Sequence, residues 1–194
     1  MTAWEQTVTN DQPEWHVLQA PFIDDSTAGQ KFLLQPDGSF FAQSYAPTKS
    51  MPTFEIEMKD VTITAFRLEL LNDANLPAYG PGRSQKGVCA LSEFVVQTKP
   101  LDDPKAKAQP VKFASATSDF GEAENTPLVA YARDKDAEKD KRVTGPASYA
   151  IDGKDDTAWG IDAGPVLRNQ PRKAVFICEK PVDATKGLKL LISP

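Results

Sequence analysis

The sequence predicts an all-β protein, an antiparallel, jelly-roll-like β-sandwich, on three observations. Sixteen prolines and eleven glycines cut the chain into pieces too short for long helices. Short runs rich in β-branched and aromatic residues recur along it, and some alternate between apolar and polar positions. Turn-forming residues separate these runs, as a sandwich requires and an α/β fold does not.

Taken in order, strands are expected at Trp15–Leu18, Lys31–Gln35 and Ser39–Tyr45, the last two separated by the turn Pro36-Asp37-Gly38. Thr53–Met58 (TFEIEM) follows, with Phe54, Ile56 and Met58 on one face and Glu55 and Glu57 on the other. A half-exposed antiparallel strand has this pattern. Val61–Leu71, Cys89–Thr98, Val111–Ala116, Ala158–Asp162, Ala174–Glu179 and Leu188–Ser193 complete the set. Tyr131–Arg142 (YARDKDAEKDKR) places Glu138 and Arg142 for an i,i+4 pair but has almost no apolar face, so it reads as a solvated loop or frayed turn.

The chain reads as one domain, 1–194, made of two weakly similar halves, about 1–98 and 110–194, joined by a linker at 99–109 (KPLDDPKAKAQ). In each half an Asp-Gly turn precedes two apolar or alternating strands, Asp37-Gly38 in the first and Asp152-Gly153 in the second. A single sandwich built from both halves is the preferred arrangement. A net charge of −5 argues against nucleic-acid binding, which needs clustered excess Lys and Arg. No apolar run approaches the roughly 20 residues that cross a bilayer, so membrane insertion is not expected. No basic-then-apolar signal segment opens the sequence. Cys89 and Cys178 lie in apolar stretches and read as buried free thiols, with a disulfide as the alternative.

Ser148–Asp162 (SYAIDGKDDTAWGID) is the most informative stretch. Asp152, Asp155, Asp156 and Thr157 crowd oxygens onto one loop. Two readings stand open: a calcium loop, since calcium takes six to eight oxygen ligands, or an acidic turn whose Asp side chains cap backbone amides without metal. It is no EF-hand, because the twelfth position from Asp152 is Ala163 rather than Glu. Trp159 reads as core.

The run Ala150-Ile151-Asp152-Gly153-x-x-Asp156-Thr157-Ala158-Trp159 resembles the signature loop of discoidin-like, galactose-binding-fold domains and related carbohydrate-binding modules. Leu91-Ser92-Glu93-Phe94-Val95-Val96 resembles the Leu-Ser-Glu strand of that fold. The resemblance implies a structural calcium held by Asp152, Thr157 and Glu93, with Asp155 as a further ligand; Lys154 departs from the Asn or Asp that often follows the glycine. A longer stretch, from Ile63-Thr64-Ala65-Phe66-Arg67-Leu68-Glu69-Leu70-Leu71 through Gly80-Pro81-Gly82-Arg83 to Leu91-Ser92-Glu93-Phe94, resembles an accessory region of large secreted proteins that carry planctomycete-type cytochrome c domains. That resemblance covers Trp15 to Leu191. It implies an accessory β-sandwich in an extracytoplasmic setting, periplasmic or secreted, and leaves the function open.

The loop Gly80–Gly87 (GPGRSQKG) lacks the Lys-Ser/Thr pair and following helix of a phosphate loop. It reads as an irregular connection or as a recognition loop, in which Tyr79 stacks on a sugar face and Arg83 binds hydroxyls or carboxylates; Arg168 has the same status. Nothing selects a catalytic set: the single histidine, His16, stands in a strand, and no nucleophile elbow, zinc helix or Cys-x-x-Cys pair occurs. The expectation is a non-catalytic module that binds carbohydrate through loops at one end of the sandwich, with Tyr79, Arg83 and Arg168 as ligand contacts. The alternative is a structural or docking module for neighbouring protein domains, with an apolar patch or an exposed strand edge near Pro194.

Overall fold

The computed structural model describes residues 13–20, 22–24, 29–47, 49–103, 105–128 and 142–194. Among these, β1 (Phe22–Asp24), β4 (Thr53–Met58), β14 (Leu188–Ser193), β7 (Val95–Pro100) and β8 (Gln109–Pro110) pair in that order as an antiparallel sheet. A second antiparallel sheet runs β5 (Thr62–Leu70), β13 (Arg172–Asp183), β9 (Phe113–Ser118). A third, small sheet joins β10 (Thr126–Pro127), β11 (Val143–Gly145), β12 (Thr157–Gly160) and β6 (Ala90–Leu91), and β2 (Gln30–Leu34) pairs with β3 (Phe40–Ser44) as a hairpin. The all-β expectation holds. No helix among the described residues is long and apolar enough to cross a membrane.

The first two sheets share one core, which gives the molecule its sandwich-like character. Ile56, Val96, Leu190 and Ile192 come from the five-stranded sheet, and Phe66, Ala174, Phe176 and Cys178 from the three-stranded one. Phe94 stacks on Phe176 with ring centroids 4.1 Å apart, and Phe66 and Phe113 pack around the pair. The period-2 pattern of β4 works as written. Phe54 and Met58 pack against the core beside buried Ile56, while Glu55 turns outward to Lys189 Nζ at 3.0 Å.

Strands of the two halves mix within the sheets. β14 lies between β4 and β7, and β13 pairs with β5. The stretch 99–109 ends β7 and opens β8, so it connects adjacent strands of one sheet. Because β14 is hydrogen-bonded on both sides, the open strand edge expected near Pro194 is not there.

Three further expectations differ. Trp15–Leu18 pairs with no strand among the described residues; Trp15 instead lies under Arg67, whose guanidinium carbon is 4.6 Å from the ring centroid. Cys89–Thr98 splits into β6 and β7, because Ser92–Phe94 carries the chain from the small sheet to the large one, where Phe94 N donates to Ala150 O at 2.7 Å. β11 and β12 run parallel, since the turn of 3-10 helix at Ala147–Ile151 and the loop after it bring the chain back before β12 starts. The reading of Tyr131–Arg142 lies outside the described residues, Arg142 excepted.

Register also fixes where the long loops go. β4 passes to β5, β7 to β8 and β13 to β14 through short connections at the end marked by Met58, Thr62, Pro100, Asp183 and Leu188. The chain between β5 and β7, with β6, and the described parts of that between β9 and β13, with β10 to β12, start from the opposite end, marked by Leu70, Arg172 and Val95. Long loops gathered at one end of a rigid scaffold are where binding residues concentrate.

Candidate functional site

Two clusters occupy the long-loop end. The first is the Asp152 loop. Gly153 takes φ +74, a left-handed turn that glycine accepts without strain. Lys154 N then donates to Asp152 Oδ1 at 3.0 Å and to Glu93 Oε1 at 2.9 Å. Thr157 Oγ1 stands 3.0 Å from both oxygens of Asp152, and the Lys154 ammonium is 3.7 Å from Oδ2. Desolvation pushes the Glu93 carboxyl above its ordinary value, and the negative charges of Asp152 and Asp155 add to that rise. Glu93, Asp152 and Thr157 are thus brought together; Asp155 is exposed and bears on Glu93 through its charge.

Glu93 and Asp152 bring two carboxylate oxygens each and Thr157 one hydroxyl, so without exposed Asp155 the side chains drawn together fall short of the six to eight that calcium takes. Among the described residues no group of three or more His, Cys, Asp or Glu stands where it could hold a metal. The loop closes through its own hydrogen bonds, with Lys154 adding a positive charge.

The second cluster surrounds Tyr79. Ala78 and Tyr79 both adopt left-handed backbone, φ 51 and 55, which costs non-glycine residues of the order of 1 kcal/mol each or more. Neighbours hold the turn. Asn169 Nδ2 donates to Ala78 O at 3.0 Å, and Asn169 O accepts from Asn72 Nδ2. Gly80 and Gly87 lie against each other, and a Cβ at either would stand 2.7 or 2.8 Å from Asn169 Oδ1. That enclosed oxygen has no conventional hydrogen-bond partner and rests on the glycine backbone. The result presents Tyr79 to solvent, 70% exposed.

The other two expected ligand contacts are engaged internally. Arg83 donates to the backbone carbonyls of Ser44 and Tyr45 and, at 3.4 Å, of Gln43, tying the loop to the end of β3. Arg168 grips Asp162 with both arms, Nε to Oδ1 at 2.7 Å and Nη2 to Oδ2 at 3.0 Å. The Arg168 bonds hold the Asp162 carboxyl down at about 2. Lys86 Nζ reaches Asp162 Oδ2 from the Gly80–Gly87 loop at 3.3 Å. Tyr79 and Arg168 are linked through neighbouring Ala78 and Asn169, while Arg83 serves the hairpin.

Sequence reasoning missed Asn169, Asp162 and Lys86. Only the Pro and Gly of the Gly80–Gly87 loop gave a signal there, that of an irregular connection. It also missed Glu122, whose carboxylate accepts from Thr144 Oγ1 and Asp162 N and so fixes Asp162 from behind. Trp159 is fully buried, with Nε1 bonded to Phe120 O at 2.8 Å, as a core residue. Both cysteines are free; although Cys89 is only half-buried as a residue, burial of its thiol pushes it up to about 11. His16, the sequence's one histidine, is largely exposed, 3.6 Å from Glu14. No protein family, curated protein or solved structure matches the chain.

Proposed function

We propose that the protein is a non-catalytic carbohydrate-binding module of the jelly-roll, galactose-binding-like kind, working in an extracytoplasmic setting as the planctomycete-type resemblance implies. The observation that carries this reading is Tyr79, an exposed aromatic ring on a strained turn at the long-loop end. An aromatic face fixed before binding supplies apolar area to a sugar at small entropic cost. Strain retained at an exposed residue, with Asn169 and two glycines sustaining it, is the pattern of a functional position.

The test is thermal unfolding over a panel of acidic and neutral polysaccharides, repeated with Tyr79→Ala. A ligand that binds only the native state raises the midpoint, by about 2.7 kcal/mol of stability at a hundred times its dissociation constant. The expected result is a rise with at least one polysaccharide that Tyr79→Ala removes. If no glycan raises the midpoint, the docking reading takes the lead, with Val166 (88% exposed) and Leu167 (57% exposed) as its apolar contact at the same end.

Calcium at the Asp152 loop is a second reading, favoured by the crowding of Glu93 with Asp152 and Asp155. Glu93, Asp152, Asp155 and Thr157 would hold the ion, backbone carbonyls and water would complete its shell, and its charge would relieve the crowding. EDTA is then expected to lower the midpoint and added calcium to restore it. An unchanged midpoint in both removes the ion and leaves the self-closed loop.

A further inference from the structure

Resting on the carbohydrate reading, we propose that the Tyr79 site selects neutral glycans, with a sugar face on Tyr79 and sugar hydroxyls donating to Asn72, Asp73 and Asn75. These residues and Tyr79 belong to one short piece of chain. Leu76 N donates to Asp73 O at 3.1 Å, and Tyr79 N donates to Leu76 O at 3.1 Å. Two turns therefore follow each other from Asp73 to Tyr79, each spanning less than about 7 Å between its end Cα atoms. Asn72 is tied to the same piece from outside it, because Asn169 O accepts from the Asn72 amide while Asn169 Nδ2 donates to Ala78 O.

Each polar side chain of this stretch is anchored by one end. Asn72 Nδ2 donates to Asn169 O, and Asn75 Nδ2 donates to Asp73 Oδ1 at 3.0 Å. A carbonyl and a carboxylate can only accept, so the nitrogen end of each amide is the one turned to the protein. Asp73 Oδ1 also accepts from Asn75 N at 2.7 Å. The amide oxygens of Asn72 and Asn75 and the second oxygen of Asp73 are left without a partner among the described residues. Both asparagines are exposed. These oxygens accept, and a sugar hydroxyl is the donor that suits them.

The charges around the turn cancel. Arg168 and Lys86 both bear on Asp162, and Glu122, which accepts from Asp162 N, balances the second of them. Arg83 is taken up by the carbonyls at the end of β3. Counted together, Arg83, Lys86 and Arg168 match Asp73, Glu122 and Asp162, so no net charge attracts an anion. A uronate or sulfate gains nothing here and brings its negative charge toward the Asp73 carboxylate, which costs affinity. A hydroxyl meets the same carboxylate as a donor and gains a charge-assisted bond.

Calorimetric titration of the full chain tests this, with galactan, laminarin and dextran as neutral polymers and polygalacturonate, alginate and hyaluronate as acidic ones. At least one neutral polymer is expected to bind more tightly than every acidic one, with an affinity that added salt leaves unchanged. Tyr79→Ala removes that binding. Asp73→Asn weakens it about tenfold, the scale of one hydrogen bond to a charged group, and narrows the gap between neutral and acidic polymers. The new amide keeps an oxygen for Asn75 N, and circular dichroism melts confirm that each variant is folded. The ranking of the polymers is read on the unaltered chain, so it holds even where a variant fails to fold. Tighter binding of an acidic polymer, removed by Tyr79→Ala, overturns the neutral selection and leaves the carbohydrate reading standing. A neutral preference with a silent Asp73→Asn overturns the assignment of the hydroxyl contacts to this turn. Binding of no polymer overturns the selection and the carbohydrate reading together.

Discussion

Glu93 and Asp152 accept hydrogen bonds from the same amide, the N–H of Lys154, at 2.9 and 3.0 Å. One donor shared by two carboxylates closes the loop between β11 and β12 onto the strand connection that leads into β7. It also sets two negative charges side by side; the Glu93 carboxyl is raised first by desolvation and further by the charge of Asp152.

Removing that charge while keeping an acceptor is expected to help. A carboxyl raised in the folded state contributes stability that is complete below its unfolded pKa and is lost as pH rises through the folded one. Glu93→Gln therefore raises the midpoint at neutral pH and flattens the profile from pH 4 upward, approximately the range of an ordinary carboxylate. Asp152→Ala, which removes the turn acceptor and the partner of Thr157, costs about 1–2 kcal/mol. Urea unfolding across pH checks both, and a lower neutral midpoint in Glu93→Gln contradicts the first.

Asp162 has the opposite sign. Its carboxyl is lowered from 3.8 to about 2 by Arg168. The stability it contributes is fully present above the unfolded value and is lost as pH falls toward 2. Asp162→Asn is expected to reduce the midpoint modestly at pH 7, as a solvent-screened bidentate pair allows, and to remove the added loss between pH 4 and about 2. Thermal melts over that range measure it.

The stacked rings set the largest single cost. Phe94 and Phe176 are buried at 4.1 Å, nearly parallel, and each joins the two sheets. Phe176→Ala is expected to lose about 3–5 kcal/mol, a large part of the stability of a single domain. Phe176→Leu loses less because it keeps most of the volume. Denaturant midpoints rank the two.

Both thiols are expected to resist modification in the native protein. Cys178 is buried, and the Cys89 thiol is pushed up to about 11, so little thiolate exists at pH 8. Thiol titration should count close to none before denaturation and two after it. Rapid native labelling of Cys89 contradicts the environment described.

The strands that carry a pattern were legible in the residues. Thr53–Met58 and Leu188–Ser193 match β4 and β14 end for end, the first because its alternation leaves one register with the apolar face inward, the second because it is a short apolar run of strand length. β8, β10 and β11 were not legible: two or three residues hold no period, and their pairing is decided by partners distant in sequence. The Asp152 loop announced itself through its Asp-Gly turn and Thr157, whereas its partner Glu93 came through a resemblance. The Tyr79 turn was half-legible. Its glycines showed an irregular connection but not their contact with each other, and nothing local in Asn169 tells that its side chain holds a turn some ninety positions away.

The central place of β14 bears on how the molecule is made. β4 and β7 leave the ribosome long before the six residues that join them. Until then each exposes an unpaired row of amides and carbonyls, with Ile56 and Val96 beside it, a template for a neighbouring nascent chain. Closure of the large sheet therefore waits for β14, and until it is made those two edges are where the nascent chain is open to misassociation.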